Sequence, residues 1–276
     1  MTISVSLINM KGGVGKTTLA AQLAQATARR GLRTLAVDLD PQGNLSQALL
    51  SPERYARHLR EKRPTVIQIF DQYIPPTAGS SSPLQVDISA IIVREAGFRG
   101  WRPGVPRTHA RANLHLIVRQ LELAHILEDP PRGTERRLAE VLAKVSDHYD
   151  LILIDCAPTE SILTKAAYHA SRYVLVPVKP EYLATIGLPL LARSVQTFKD
   201  KNAHHSLDIC GVVFNNSGSY SLGPEERRSI REVMSEAEAR GWPVFEAQLQ
   251  KSKSYPKPHG RAQLSDQQVM CEGTGR

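Results

Sequence analysis

The chain has 276 residues, 41% of them hydrophobic, with 35 Lys and Arg against 27 Asp and Glu for a net charge of +8. That length suffices for one large α/β domain with a substantial core, and the positive excess points toward a polyanionic partner. Cys156, Cys210 and Cys271 are far apart without Cys-x-x-Cys spacing, which supports neither a disulfide framework nor a zinc site, and no apolar run reaches membrane-spanning length. A start that enters an apolar, strand-like run at once is no signal peptide, so the expected setting is the cytoplasm.

Residues 3–8 read as that strand and residues 19–30 as a helix, and between them lies Asn9-Met10-Lys11-Gly12-Gly13-Val14-Gly15-Lys16-Thr17-Thr18. Strand, glycine-rich turn, Lys-Thr and helix in that order make a phosphate cradle. Gly12, Gly13 and Gly15 let successive N–H groups point inward, and the helix adds its positive end. Lys16 would reach the β and γ phosphates and the Thr17 hydroxyl would ligate Mg²⁺, with Val14 and Thr18 completing the nucleotide-binding stretch. Lys11 is an additional cation with two readings, a solvated surface lysine or a charge aimed at phosphate. Lys-Gly-Gly-x-Gly-Lys-Thr resembles the signature of the deviant Walker A ATPases, the ParA/Soj/MinD family. The resemblance implies that Lys11 crosses a dimer interface to touch the nucleotide of the other subunit.

Residues 34–37 form a second strand closing on Asp38-Leu39-Asp40-Pro41-Gln42-Gly43-Asn44. If that strand persists, Asp38 and Asp40 share one face at the carboxyl edge of a parallel sheet, where ligands gather. One could orient an attacking water and the other hold the metal's water shell; the competing reading is an Asp-Pro-x-Gly turn with a capping aspartate. The stretch is similar to the family's second motif, which implies that Asp40 positions the hydrolytic water; on the reading of the pair above, Asp38 is then the candidate for the metal.

From residue 51 to about 129 the pattern is broken by Pro and Gly, with a helix expected over 66–73 and a strand over 114–118. The segment Leu121-Glu122-Leu123-Ala124 resembles one that the family carries after its third strand. Within an irregular insertion at about 75–111, Arg94, Arg99, Arg102, Arg107 and Arg111 interleave with Phe98 and Trp101, either a nucleic-acid contact or a solvated loop. Residues 134–145 read as an amphipathic helix. Leu151-Ile152-Leu153-Ile154-Asp155 reads as a fully buried central strand ending on an acid that would hold Mg²⁺ through water. Asp155-Cys156-Ala157-Pro158 is similar to the family's second switch.

Residues 173–177 form a further strand, and the following Glu181-Tyr182 resembles the family's Glu-Tyr pair. A helix is expected over 188–198 and a strand over 209–214, which delivers Asn215 to its terminus. An amide there can pair with the edge of adenine, and the resemblance implies that it does; Asn216 reads equally as a turn former. A charged helix over 225–239 and a last strand over 244–249 complete the pattern. Arg227, Arg228 and Arg231, with Lys251, Lys253, Lys257 and Arg261, make either a positive surface for DNA phosphates or ordinary solvated charge.

The expected fold is α/β, a doubly wound, mostly parallel sheet with helices on both faces, in one domain over 1–264 with a polar tail over 265–276. The resemblance, closest to a short Soj-like partition ATPase, implies ATP and Mg²⁺ as cofactors and an ATP-dependent sandwich homodimer. It further implies non-specific binding of double-stranded DNA, a ParB-type partner that stimulates hydrolysis, and a nucleoid-associated cytoplasmic setting without membrane attachment. Because the sequence enters its first strand directly, the N-terminal DNA-binding extension of larger ParA proteins is not expected. The alternatives are a positioning ATPase for a non-DNA cargo and a non-hydrolysing DNA-binding scaffold. A MinD-like membrane anchor is disfavoured because residues 263–276 offer no apolar face, and Lys16, Thr17, Asp40 and Asp155 disfavour the scaffold.

Overall fold

The computed structural model describes residues 1–71, 87–94, 96, 113–120, 130–181, 184–217, 223–247 and 249–250. Four short apolar segments form the middle of one sheet: β1 (Ile3–Leu7), β2 (Thr34–Asp38), β5 (Leu151–Asp155) and β6 (Tyr173–Val178). With β3 (Ile92–Val93), β4 (Leu114–Ile117), β7 (Asp208–Ser217) and β8 (Leu249–Gln250), the spatial order is β3-β4-β2-β5-β1-β6-β7-β8. All pairings are parallel except β3 with β4, an antiparallel edge.

Parallel strands demand crossovers that cover both faces, so the inner strands are apolar on both sides. The alternation is visible in the core: Leu35, Val37, Ile152 and Ile154 belong to one cluster, Ala36 and Leu153 to the other. The second face is closed by α1 (Lys16–Arg29) and α2 (Asn44–Leu50). Ala20, Ala24 and Ala28, four apart and almost fully buried, let α1 sit close to the strands. The first face is closed by α4 (Ile67–Asp71), α5 (Ile88–Ile91), α6 (Arg137–Ala143), α7 (Ile162–Ala170), α8 (Ala184–Lys201) and α9 (Pro224–Ala239), all of which follow α3 (Pro52–Arg60) in chain order. The doubly wound α/β expectation therefore holds. Among the described residues no helix is long and apolar enough to cross a membrane.

Local departures have physical causes. β2 ends at Asp38, so Asp40 lies beyond the strand in a turn closed by a Gly43 N–H bond to the Asp40 carbonyl (2.9 Å), and the two carboxylates do not share a strand face. The helix expected over 134–145 is a 3₁₀ turn (Thr134–Arg136) leading into the shorter α6. In place of a strand over 244–249, Val244 makes one isolated bridge to Val212 and only Leu249–Gln250 pair as β8. Helices α2 and α3, unanticipated from the pattern, meet at Ser51, a non-glycine residue at φ 81° and ψ 147°. Ser51 is held there because its Oγ accepts the Arg54 N–H (3.2 Å) and donates to Glu53 (2.8 Å).

Two outcomes test this framework. Ser51→Ala removes the cap but keeps the strained backbone, so it lowers unfolding stability by about 1 kcal/mol, measured by chemical denaturation. At the amino edge of the sheet, Arg33 donates to the Asp150 carboxylate (2.7 Å) and holds that group down at about 2. A folded-state value below the ordinary one means the stabilisation is present above about pH 4 and lost as pH falls toward 2. The thermal stability difference between the wild type and Asp150→Asn therefore shrinks between pH 4 and 2; a constant difference refutes the assignment.

Candidate nucleotide site

The carboxyl ends of β1, β2, β5 and β7 converge on the glycine-rich loop. Asn9, 2% exposed, anchors it: its Nδ2 donates to the Pro177 carbonyl (2.8 Å) and its Oδ1 accepts the Lys11 N–H (2.9 Å). The loop turns through Gly13 (φ 73°) and Gly15 (φ 89°) into α1, which has no side-chain cap and no acid in its first turn. Its free N–H groups and dipole are thus available to an anion. Lys16, 5% exposed, folds over the loop and donates to the carbonyls of Asn9 (3.2 Å) and Lys11 (3.1 Å). Burial lowers its pKa, while the charges of Asp155 and Asp40 oppose that shift.

β2 and β5 stand in register so that Asp38 pairs with Asp155, both fully buried. The Asp38 Oδ2 accepts the Ser46 N–H (2.8 Å) and hydroxyl (2.7 Å), and its Oδ1 accepts the Asp40 N–H (3.2 Å). Asp38 therefore caps the first turn of α2, and burial pushes it up to about 6. The expectation of Asp38 as a metal residue meets a carboxylate whose oxygens are already engaged. Asp40, 8% exposed, accepts the Gln42 N–H (2.9 Å), so the capping-turn reading of Asp-Pro-x-Gly describes its present geometry.

Asp155 differs from both: among the described residues neither of its oxygens has a partner in good hydrogen-bond geometry, and the nearby Thr17 hydroxyl is the side-chain donor that faces it. Burial raises its pKa well above the ordinary range and the charge of Asp38 raises it further, while the Thr17 hydroxyl and Lys16 act the other way. A buried carboxylate without a donor is costly unless a cation meets it. Among the described residues no group of three or more His, Cys, Asp and Glu side chains converges as a metal cage. One carboxylate, one hydroxyl and phosphate oxygens instead suit Mg²⁺, which keeps several waters.

Lys11 lies at the rim. Its Nζ donates to Glu181 (2.8 Å), which also pairs with Lys179, and both contacts lower the Glu181 pKa. Gly12 faces Pro158, so the segment after β5 lies against the loop. Asn215, 7% exposed, donates through Nδ2 to the Val14 carbonyl (2.7 Å), tying β7 to the loop.

The other expected residues fall elsewhere. Arg227, Arg228 and Arg231 are exposed on α9, where Arg228 pairs with Glu232 (2.8 Å). Lys251, Lys253, Lys257 and Arg261 lie outside the described residues, as do Arg99, Arg102, Arg107, Arg111, Tyr182 and the 121–124 segment. Two site residues escaped the sequence reading: the anchor Asn9 and Arg119, which is 2% exposed and faces Asp38 and Asp40. The available signal for Arg119 was a lone cation just past an apolar strand at the carboxyl edge.

A parallel sheet whose carboxyl edge gathers a glycine-rich cradle, a buried lysine and an orphaned strand-end carboxylate defines a P-loop nucleotide-binding protein. The chain belongs to the AAA domain family, AAA_31, whose model matches residues 2–209, and within it to the ParA/Soj/MinD group of deviant Walker A ATPases. It is 31% identical over 272 residues to the chromosome-partitioning ATPase Soj of Treponema pallidum, covering 91% of this chain and 92% of that one. Cobyrinic acid a,c-diamide synthase of Mycobacterium smegmatis, solved with an ATP analogue and magnesium, superposes with a TM-score of 0.70 at 25% identity, over 92% of this chain and 89% of that one. Apo McdA of Cyanothece shares the fold, with a TM-score of 0.72 at 19% identity over 92% and 88% of the two chains.

The loop geometry makes one substitution decisive. A Cβ at Gly15 would collide with Asn215 Nδ2 on a backbone at φ 89°. Gly15→Ala therefore weakens binding of a fluorescent ATP analogue by at least about tenfold, some 1.4 kcal/mol, in equilibrium titration. Unchanged affinity would show that the loop is not the binding surface.

Proposed function

We propose that the chain is a ParA-like ATPase of DNA partition. The carrying observation is Asp155, a fully buried carboxylate with no well-formed hydrogen bond among the described residues, facing the Thr17 hydroxyl and Lys16 in the cradle. Thr17 and Asp155 would hold Mg²⁺, with Asp38 behind them fixing α2 and the loop that carries Asp40. When bound, the ion neutralises charge on the β and γ phosphates.

Lys11, Gly12, Gly13, Val14, Gly15, Lys16, Thr17 and Thr18 would surround the phosphates. Lys16 would leave the Asn9 and Lys11 carbonyls for phosphate oxygens, exchanging two neutral acceptors for a charged one. Asp40 would orient the attacking water once its turn tightens around nucleotide. The Asn215 Oδ1, without another bond among the described residues, would accept from the adenine amino group while Nδ2 keeps the loop.

Likeness to Soj across nearly the whole of both chains supports the rest of the cycle. Two copies would enclose two nucleotides, each lending Lys11 to the other. The dimer would bind double-stranded DNA non-specifically in the nucleoid-associated cytoplasm, and a ParB-type partner would speed hydrolysis and release. The segment 1–264 would act as the ATPase unit. For Lys11 to cross the interface it must leave Glu181, so this ion pair opposes dimerisation in the single chain.

The test is phosphate release and sedimentation with ATP and Mg²⁺, with and without duplex DNA. Lys11→Ala abolishes the nucleotide-dependent dimer and Glu181→Gln strengthens it. A Lys11→Ala protein that dimerises like the wild type would overturn the proposed exchange. Absence of turnover under every condition would favour the non-hydrolysing scaffold.

A further inference from the structure

The positive surface expected on α9 is poor in positive charge where it is described: that helix carries Arg227, Arg228 and Arg231 among five glutamates, Glu225, Glu226, Glu232, Glu236 and Glu238. The denser cationic surface lies at the other edge of the sheet. Between residues 53 and 63, α3 and the turn after it carry Arg54, Arg57, Arg60, Lys62 and Arg63 against two acids, Glu53 and Glu61, and all seven are exposed. Glu61 is already taken by Arg63 (2.7 Å), and among the described residues Arg57, Arg60 and Lys62 have no ion-pair partner.

Cations in a last helical turn complement the dipole, which accounts for Arg57 and Arg60 in part. It does not account for Arg54 in the first turn, nor for Lys62 and Arg63 beyond the helix. The surface is also shaped. Arg54, Arg57, His58 and Arg63, with Glu61, Leu50 and Val93, line a cavity of about 190 Å³, large enough to seat one phosphate group against three arginines and a single acid that Arg63 already pairs. Arg54 to Arg60 spans about 9 Å along the helix axis, more than one phosphate can occupy. An extended polyanion fits this arrangement better than a small one.

We propose that α3 and the 61–63 turn form a contact surface for the phosphodiester backbone of double-stranded DNA; this rests on the partition-ATPase reading and assigns its DNA contact to a surface that reading did not include. The surface is joined to the nucleotide site by hydrogen bonds. Tyr55 of α3 donates to the Arg119 carbonyl (3.1 Å), the Arg119 N–H donates to Ser46 Oγ (3.1 Å), and the Ser46 hydroxyl donates to Asp38 (2.7 Å). Tyr55, on the helix that carries the arginines, is thus three hydrogen bonds from the β2 aspartate.

The experiment uses the full chain with ATP and Mg²⁺ and a fluorescent duplex without a special site, titrated by anisotropy from 50 to 200 mM salt. Arg57→Gln/Arg60→Gln weakens binding about tenfold at 100 mM salt and makes the slope of log affinity against log salt shallower by about 1 to 2, as expected for the loss of one or two phosphate contacts. Arg57→Lys/Arg60→Lys restores both. Both positions are exposed, and nucleotide-dependent dimerisation, followed by sedimentation, stays at the wild-type level. Affinity and slope equal to wild type in the Gln variant overturn the proposal, as does a loss of DNA that merely follows a loss of dimer. A wild type that binds no duplex in any nucleotide state fails earlier, at the partition reading itself.

Discussion

The structure depends on two carboxylates brought side by side by strand register. Asp38 and Asp155 face one another across β2 and β5, both removed from water. Like charges in a low-dielectric interior repel and are poorly solvated, so such a pair persists only when its surroundings answer it. The answer is asymmetric. Asp38 takes two bonds from Ser46 and one from the Asp40 N–H, which spends its charge on fixing α2. Among the described residues Asp155 takes no well-formed bond, and its compensation is the Thr17 hydroxyl, Lys16 and whatever cation the cradle admits.

That asymmetry organises the elements around it. α2 starts where it does because a carboxylate from the adjacent strand caps it, and its position determines where α3 leaves at Ser51. Lys16 is drawn inward by the same field that burial works against, which keeps a charged donor poised above the loop carbonyls. Arg119, buried opposite Asp38 and Asp40, adds a counter-charge from just beyond β4. The cradle is therefore part of an electrostatic arrangement that extends through four strands, and its members are coupled more by charge than by contact.

What could be read from the sequence follows the range over which each cause acts. The cradle and the central strands were legible because their causes are local: glycines before Lys-Thr, and apolar runs closed by an acid. Asp155 stands out in the sequence because an acid terminating Leu151–Ile154 has no apolar role. Helices α2 and α3 were hidden because their caps are a distant aspartate and a serine at an uncommon backbone angle, neither of which leaves a periodic trace. The sharing of a face by Asp38 and Asp40 failed for a related reason: the turn at Pro41 stops the strand two residues earlier than alternation requires. Asn9 and Arg119 act through partners in other strands, Pro177 and Asp38, so their importance emerges only when those strands are assembled.

One amide at the end of β7 has a wider consequence. Because Asn215 grips the Val14 carbonyl, the loop is fastened at its far side as well as through Asn9. A strap held at both ends has little slack to lose when a guest arrives, so less of the recognition energy is spent on ordering and more is left to act on neighbouring parts. Motion in such a molecule is displaced outward, to the rim where Lys11 pairs with Glu181.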